Sequence, residues 1–159
     1  MANMTHYMEL LVNNQPWNLI IFMAIPVILA EALVAIEFFI VYKREYEGNL
    51  RSLSKALGII FGVWFLGIFL RLSLAVVPTI EWRGWVDVVA VGFYLSGVIP
   101  ALGLALMELG ITGKAKSPEQ KMKLHFILLT LFLVVAHVAM IFGMVNPEIL
   151  VHAGSSMAM

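Results

Sequence analysis

Four runs of apolar residues, roughly Trp17 to Tyr42, Ala56 to Val77, Val86 to Leu109 and Met122 to Val145, dominate the chain, and most charged residues collect between them. Each run reaches the ~20 residues that a helix needs to cross a bilayer. The pattern predicts an all-α fold, an integral membrane four-helix transmembrane bundle occupying 1–159 as a single domain. Its predicted cytoplasmic loops are 43–55 and 110–121. Met4 to Val12 reads as a short N-terminal interfacial helix with Tyr7, Leu10 and Leu11 dipping into the headgroups.

Local signals refine these elements. Pro16 suits a first helical turn, whereas Pro26 falls inside the first span, where a missing N–H kinks the helix or frees a carbonyl. Gly58 and Gly62 have small-xxx-small spacing, with Gly67 beyond, and predict close approach of a neighbouring helix. Gly92, Ser96, Gly97, Pro100 and Gly103 invite local unwinding of the third span. Ser117-Pro118-Glu119-Gln120 is a helix start with a capping residue, an early Pro and a Gln at the third position. Asn146-Pro147 predicts the last stop. The absence of a repeat between the halves weighs against an inverted-repeat transporter.

Composition agrees with the pattern, since 62% of residues are hydrophobic and 13% charged. The net charge of zero hides a segregation. Lys43, Arg44, Arg51 and Lys55 follow the first span, and Lys114, Lys116, Lys121 and Lys123 precede the fourth. The positive-inside rule makes both loops cytoplasmic, so the termini and the Pro78 to Trp85 turn face outward, with Trp17, Trp82 and Trp85 in an outer aromatic belt. Topology accounts for these basic residues and leaves no case for nucleic acid. The first stretch lacks a basic leader and a small-residue cleavage site, so it reads as a retained span. With no cysteine, any metal ligands are His, Met or carboxylate.

The candidate chemistry lies in ionisable groups within the apolar runs, which usually face a bundle interior and mark a site. With ~1.5 Å of rise per residue, Arg71 and His137 lie at similar depth in the outer half, below Asp87, and Glu31 lies near the midplane. Glu37, Glu108 and His125 come from three helices at similar depth near the cytoplasmic side. Asp87, Tyr94, Ala101 and Glu108 recur every seven residues and form one stripe of the third helix. His137, Met140 and Met144 share a face of the fourth. His125 lies about 120° away from them.

Three functional readings follow. Haem b would use His137 as an axial ligand, Met140 or Met144 as a soft second ligand and Arg71 against a propionate. A transition-metal reading places copper on outer groups including His6, His152 and Met1, Met4, Met8, Met157 and Met159. It places iron, manganese or zinc on Glu37, Glu108 and His125. Methionines also serve as plain packing. In the third reading Glu31, Asp87 and Tyr94 join the two levels into a proton or ion path. The bland counterpart is that Glu31 or Asp87 neutralises Arg71 and the histidines hydrogen-bond across helices. No P-loop, dinucleotide fingerprint, nucleophile elbow, HExxH or Glu-x-x-His motif is present.

His6-Tyr7-Met8-Glu9-Leu10-Leu11, Asn14-Gln15-Pro16-Trp17-Asn18-Leu19, Ile25-Pro26-Val27 through Ala30-Glu31, and Ala136 through Met144 resemble a family of small bacterial inner-membrane proteins of uncharacterised function. The resemblance covers nearly the whole chain. It implies a four-span protein of the bacterial inner membrane and brings no activity or ligand set. The expected function is therefore a membrane-embedded cofactor-binding protein, holding haem or a metal near His137 with a second site around His125. The alternatives are a proton- or cation-conducting subunit and a structural accessory subunit. The expected partners are the lipid bilayer and either further copies, as a homo-oligomer, or a larger membrane complex.

Overall fold

The computed structural model describes residues 4–146, and these form five helices with no strand among them. Helix α1 spans His6–Val12. Four long helices follow: α2 (Trp17–Lys43), α3 (Asn49–Thr79), α4 (Trp85–Glu108) and α5 (Pro118–Met144). All four are long and apolar enough to cross a membrane. They run up and down in turn, so one end of the bundle carries α1 and the opposite end carries the α2–α3 and α4–α5 loops. The expected stop at Asn146-Pro147 falls partly outside the described residues, and Met1, His152, Met157 and Met159 lie wholly outside them.

The helix boundaries follow from local chemistry. Ser117 and Gln120 form a reciprocal capping box: Gln120 N–H donates to Ser117 Oγ at 3.3 Å, and Ser117 N–H donates to Gln120 Oε1 at 3.2 Å. Two otherwise unpaired backbone donors are thereby satisfied. Arg44 ends α2 in a left-handed conformation, φ 53°. Helix α3 begins at Asn49, seven residues before the apolar run suggests, because Arg51 and Ser54 continue the face that Gly58 presents one turn later. Pro26 cannot donate to the Phe22 carbonyl four residues back. The chain opens into a π segment over Ile20–Ala24, and the Tyr94 hydroxyl donates to the freed carbonyl.

Close helix approach is built on glycine. A Cβ on Gly62 would lie 2.4 Å from Ala105 Cβ and 2.7 Å from the Ala101 carbonyl oxygen, so α3 and α4 meet there backbone to backbone. Helix α4 is interrupted for one residue at Gly97, where a Cβ would press on Phe65 and Phe132 at 3.1 Å. Those two rings and Phe61 make edge-to-face contacts, with Phe132 centroids 4.6 Å from Phe61 and 5.1 Å from Phe65. All three are essentially inaccessible and form an apolar layer across the middle of the bundle.

Helix α1 is a plug and not the headgroup-facing helix that its amphipathic sequence suggests. Tyr7 and Leu11 are buried in the bundle end, with Tyr7 5.0 Å from the Tyr94 ring. The Thr5 hydroxyl donates to the Gly143 carbonyl at 2.6 Å. A Cβ on Gly143 would fall 2.5 Å from the Tyr7 ring. Burial pushes the Tyr7 phenol up to about 12, which keeps it neutral in its seat through the physiological range.

The glycine contacts are testable by contrast. Gly62→Ala is expected to destabilise the bundle by about 1–3 kcal/mol through overpacking, whereas Gly92→Ala, whose Cβ would meet nothing within 4 Å, is expected to be neutral or stabilising. Thermal unfolding of both variants in one mild detergent checks the pair. Equal midpoints would contradict the close α3–α4 approach.

Candidate functional site

Each of the four long helices contributes one ionisable residue to a buried cluster at the loop end of the bundle: Glu37 from α2, Arg51 from α3, Glu108 from α4 and His125 from α5. His125 is fully buried, with Nδ1 hydrogen-bonded to Glu37 Oε1 and Nε2 3.1 Å from Glu108 Oε1. Arg51 Nη2 lies 2.7 Å from Glu108 Oε1 and donates to Oε2 at 2.8 Å. The result is an unbroken line, Glu37 to His125 to Glu108 to Arg51. Arg51 is its one partly exposed member, with 22% of its side chain accessible.

The local sequence makes room for this line. Gly58 faces the imidazole, and a Cβ there would stand 3.3 Å from His125 Nε2 and 3.5 Å from Glu108 Cγ. Glu108 arrives on the stripe that also holds Asp87, Tyr94 and Ala101, all of them buried. Ser54, one turn of α3 beyond Arg51, is buried with its hydroxyl unpartnered.

The two carboxylates stand on opposite edges of the ring, so Glu37, His125 and Glu108 are arranged in series and not around a point. Among the described residues, no three His, Asp or Glu side chains converge as metal ligands. The charges are informative. Carboxylates only accept hydrogen bonds, so His125 Nδ1 carries the hydrogen it shares with Glu37, and an imidazolium places a second positive charge beside Glu108. In that state Glu37, Glu108, His125 and Arg51 sum to zero, a balance that a buried ionic group requires. Removing the proton leaves one net negative charge in the interior.

Five buried side-chain atoms are without a hydrogen-bond partner among the described residues: Glu37 Oε2, Arg51 Nη1, Ser54 Oγ, Glu108 Oε1 and His125 Nε2. All belong to this cluster. The last two face each other at 3.1 Å without hydrogen-bond alignment. Buried polar atoms are rarely left unpaired, and an explanation is needed where they are, such as a water, an ion or a functional requirement.

A family model described as Family of unknown function (DUF6803) matches residues 1–159. The chain belongs to this family. No curated protein matches it, and neither does any solved structure. Membership in DUF6803 therefore carries no activity across, and the chemistry rests on the residues themselves.

A second polar cluster of this DUF6803 chain fastens α1 to the opposite end. Asp87 is fully buried and accepts from His6 N–H at 2.7 Å, with His6 Nδ1 2.6 Å from its other oxygen. Arg83 donates to the Met4 carbonyl at 2.6 Å and to Glu9 Oε2 at 2.7 Å. Asp87 thus pairs with His6 and not with Arg71. Tyr94 holds the Phe22 carbonyl.

The remaining sequence candidates, Met140 apart, face outward. His137 is exposed, with Nδ1 2.6 Å from the Leu133 carbonyl of its own helix. Met144 is also exposed, and Met140 is half-buried in a crevice beneath Tyr7. Arg71 borders an open groove between α2 and α3 with Ile60, Trp64 and Gly67. His137, Met140, Met144 and Arg71 therefore do not converge within one chain. Glu31 is exposed on α2.

Arg51 is the site residue that sequence reasoning missed, because it reads as one more positive charge of a cytoplasmic loop. Its signal is the spacing Arg51, Ser54, Gly58, which continues the buried face of α3. Arg51→Ala is expected to leave Glu108 as an uncompensated buried charge and to cost about 3–5 kcal/mol. Lys55→Ala, at an exposed position, serves as the control in the same unfolding measurement. Equal stability of the two variants would contradict the buried pairing.

Proposed function

We propose that the chain is a four-span protein of the bacterial inner membrane, with both termini on the periplasmic side. It works by taking up and releasing a proton at the Glu37–His125–Glu108–Arg51 site, as a proton-conducting or proton-coupled transport subunit. The four long apolar helices and the concentration of basic residues in the two connecting loops support the placement. In this orientation the site lies near the cytoplasmic face, with Arg51 at its entrance.

The observation that carries the function is the burial of an imidazole between two carboxylates, with the unpartnered buried side-chain atoms of the described residues gathered around it. A merely structural bridge is normally satisfied, because half-satisfied polar networks are unfavourable in a dry interior. Here the proton state changes the net charge of a buried group, and the loose hydrogen-bonding atoms supply places for water to enter the relay. The Phe61, Phe65 and Phe132 layer separates this site from the His6–Asp87 cluster. In the proposed orientation this layer stands between the site and the periplasm. A haem at His137 has weaker support, since His137 is exposed and would need ligands from another molecule.

Reconstituted protein is expected to collapse an imposed pH gradient in liposomes faster than protein-free vesicles do. His125→Gln and Glu37→Gln are expected to return the rate to that background, with His137→Gln retaining flux. Wild-type vesicles no leakier than empty ones, or undiminished flux in His125→Gln, would overturn the proposal.

A further inference from the structure

Two open grooves flank α2, and ionisable groups with no side-chain partner among the described residues lie in one of them and on the helix faces that continue the other. The α2–α3 groove, about 500 Å³, holds Arg71 beside Val63, Trp64 and Gly67. The α2–α5 groove, about 490 Å³, is lined by Phe38, Phe126 and Ile127, with Glu119 and Lys123 at its loop end. Glu31 lies seven residues from Phe38, and His137 lies eleven from Phe126, so helical phase places both within about 20° of that face. Both are exposed.

Charged groups in membrane helices almost always turn inward or find partners. A single chain therefore leaves an acid on one side of α2 and a base on the other. We propose that these two faces are the halves of one head-to-tail interface between copies of this chain, with Arg71 of one copy set against Glu31 and His137 of the next. A second copy satisfies both groups at once.

The chemistry of the three residues and the depth of Arg71 and His137 agree with this pairing. The Leu133 carbonyl only accepts, so His137 Nδ1 carries the hydrogen and donates to it. Nε2 is then left as an outward acceptor for a guanidinium. Gly58 and His125 stand side by side. Arg71 is thirteen residues beyond Gly58 and His137 twelve beyond His125, which puts them level, about 18–20 Å from the buried site. Glu31, six residues from Glu37, lies about 9 Å from that site on the same side. The long arginine side chain spans much of the offset from His137 toward Glu31. Because the acidic and basic faces differ, the contact is heterologous and builds a ring or an open row of copies, not a two-fold dimer. The inference rests on the membrane-spanning reading and is independent of proton transfer at His125.

The cysteine-free chain makes the test direct. Gly67→Cys, where an added Cβ meets nothing within 4 Å, marks the α2–α3 face, and Val134→Cys, an exposed position, marks α5 at a similar level. When the two single variants are co-expressed, a short bis-maleimide applied to isolated membranes is expected to link them to each other, with neither variant linking to itself. Glu31→Gln or Arg71→Gln in this background is expected to weaken association by about tenfold or more. The exchange Glu31→Arg with Arg71→Glu is expected to restore it. Three results would overturn the proposal: no cross-links, self-linking of either variant, or a monomer in mild detergent that retains phospholipid through Arg71. Failure of liposome flux with intact cross-linking would leave the interface standing and remove only the proton reading.

Discussion

A buried imidazole held between two carboxylates is the constraint from which the arrangement of the helices follows. Each ion in an apolar interior is costly unless its charge is matched. Glu37, Arg51, Glu108 and His125 meet that demand only together, and they come from four different helices. Rotating any one helix would strand an ion. Apolar surface alone gives helices this apolar little reason to choose a particular face, so the buried line specifies the rotation of all four, and Gly58 and Gly62 permit the approach it requires.

The rest of the bundle divides around the phenylalanine layer. On one side lies the ionic line with its unpartnered atoms. On the other, α1 sits in the bundle end, fixed by His6 to Asp87, by Arg83 to Met4 and Glu9, and by Thr5 to Gly143. Tyr94 joins the two sides mechanically. Its ring packs between Tyr7 and Phe65, and its hydroxyl stabilises the backbone break that Pro26 imposes on α2.

Much of this was legible in the sequence where a specific physical rule applied. The Ser117 cap, the carbonyl freed by Pro26, the close approach at Gly62 and the buried stripe from Asp87 to Glu108 each follow from local geometry or from heptad spacing. The convergence of Glu37, Glu108 and His125 followed from counting depth along antiparallel helices. Facing was harder to read. Helices α2 and α5 carry apolar residues on every side, so periodicity does not separate the core face from the outer one, and Glu31 and His137 gave no sign that they look outward. Arg51 was hidden by the loop charges around it. The seating of Tyr7 against Gly143 depends on residues far apart in the chain, which no local pattern encodes.

The most direct test of the account is infrared difference spectroscopy of the reconstituted protein during a pH jump. Protonation at the buried line is expected to produce paired carboxyl and imidazole bands that vanish in His125→Gln and that shift when His125 alone carries ring-nitrogen label. A spectrum with no such bands, or one unchanged by loss of His125, would contradict the account and make the Glu37–His125–Glu108 line a fixed structural bridge.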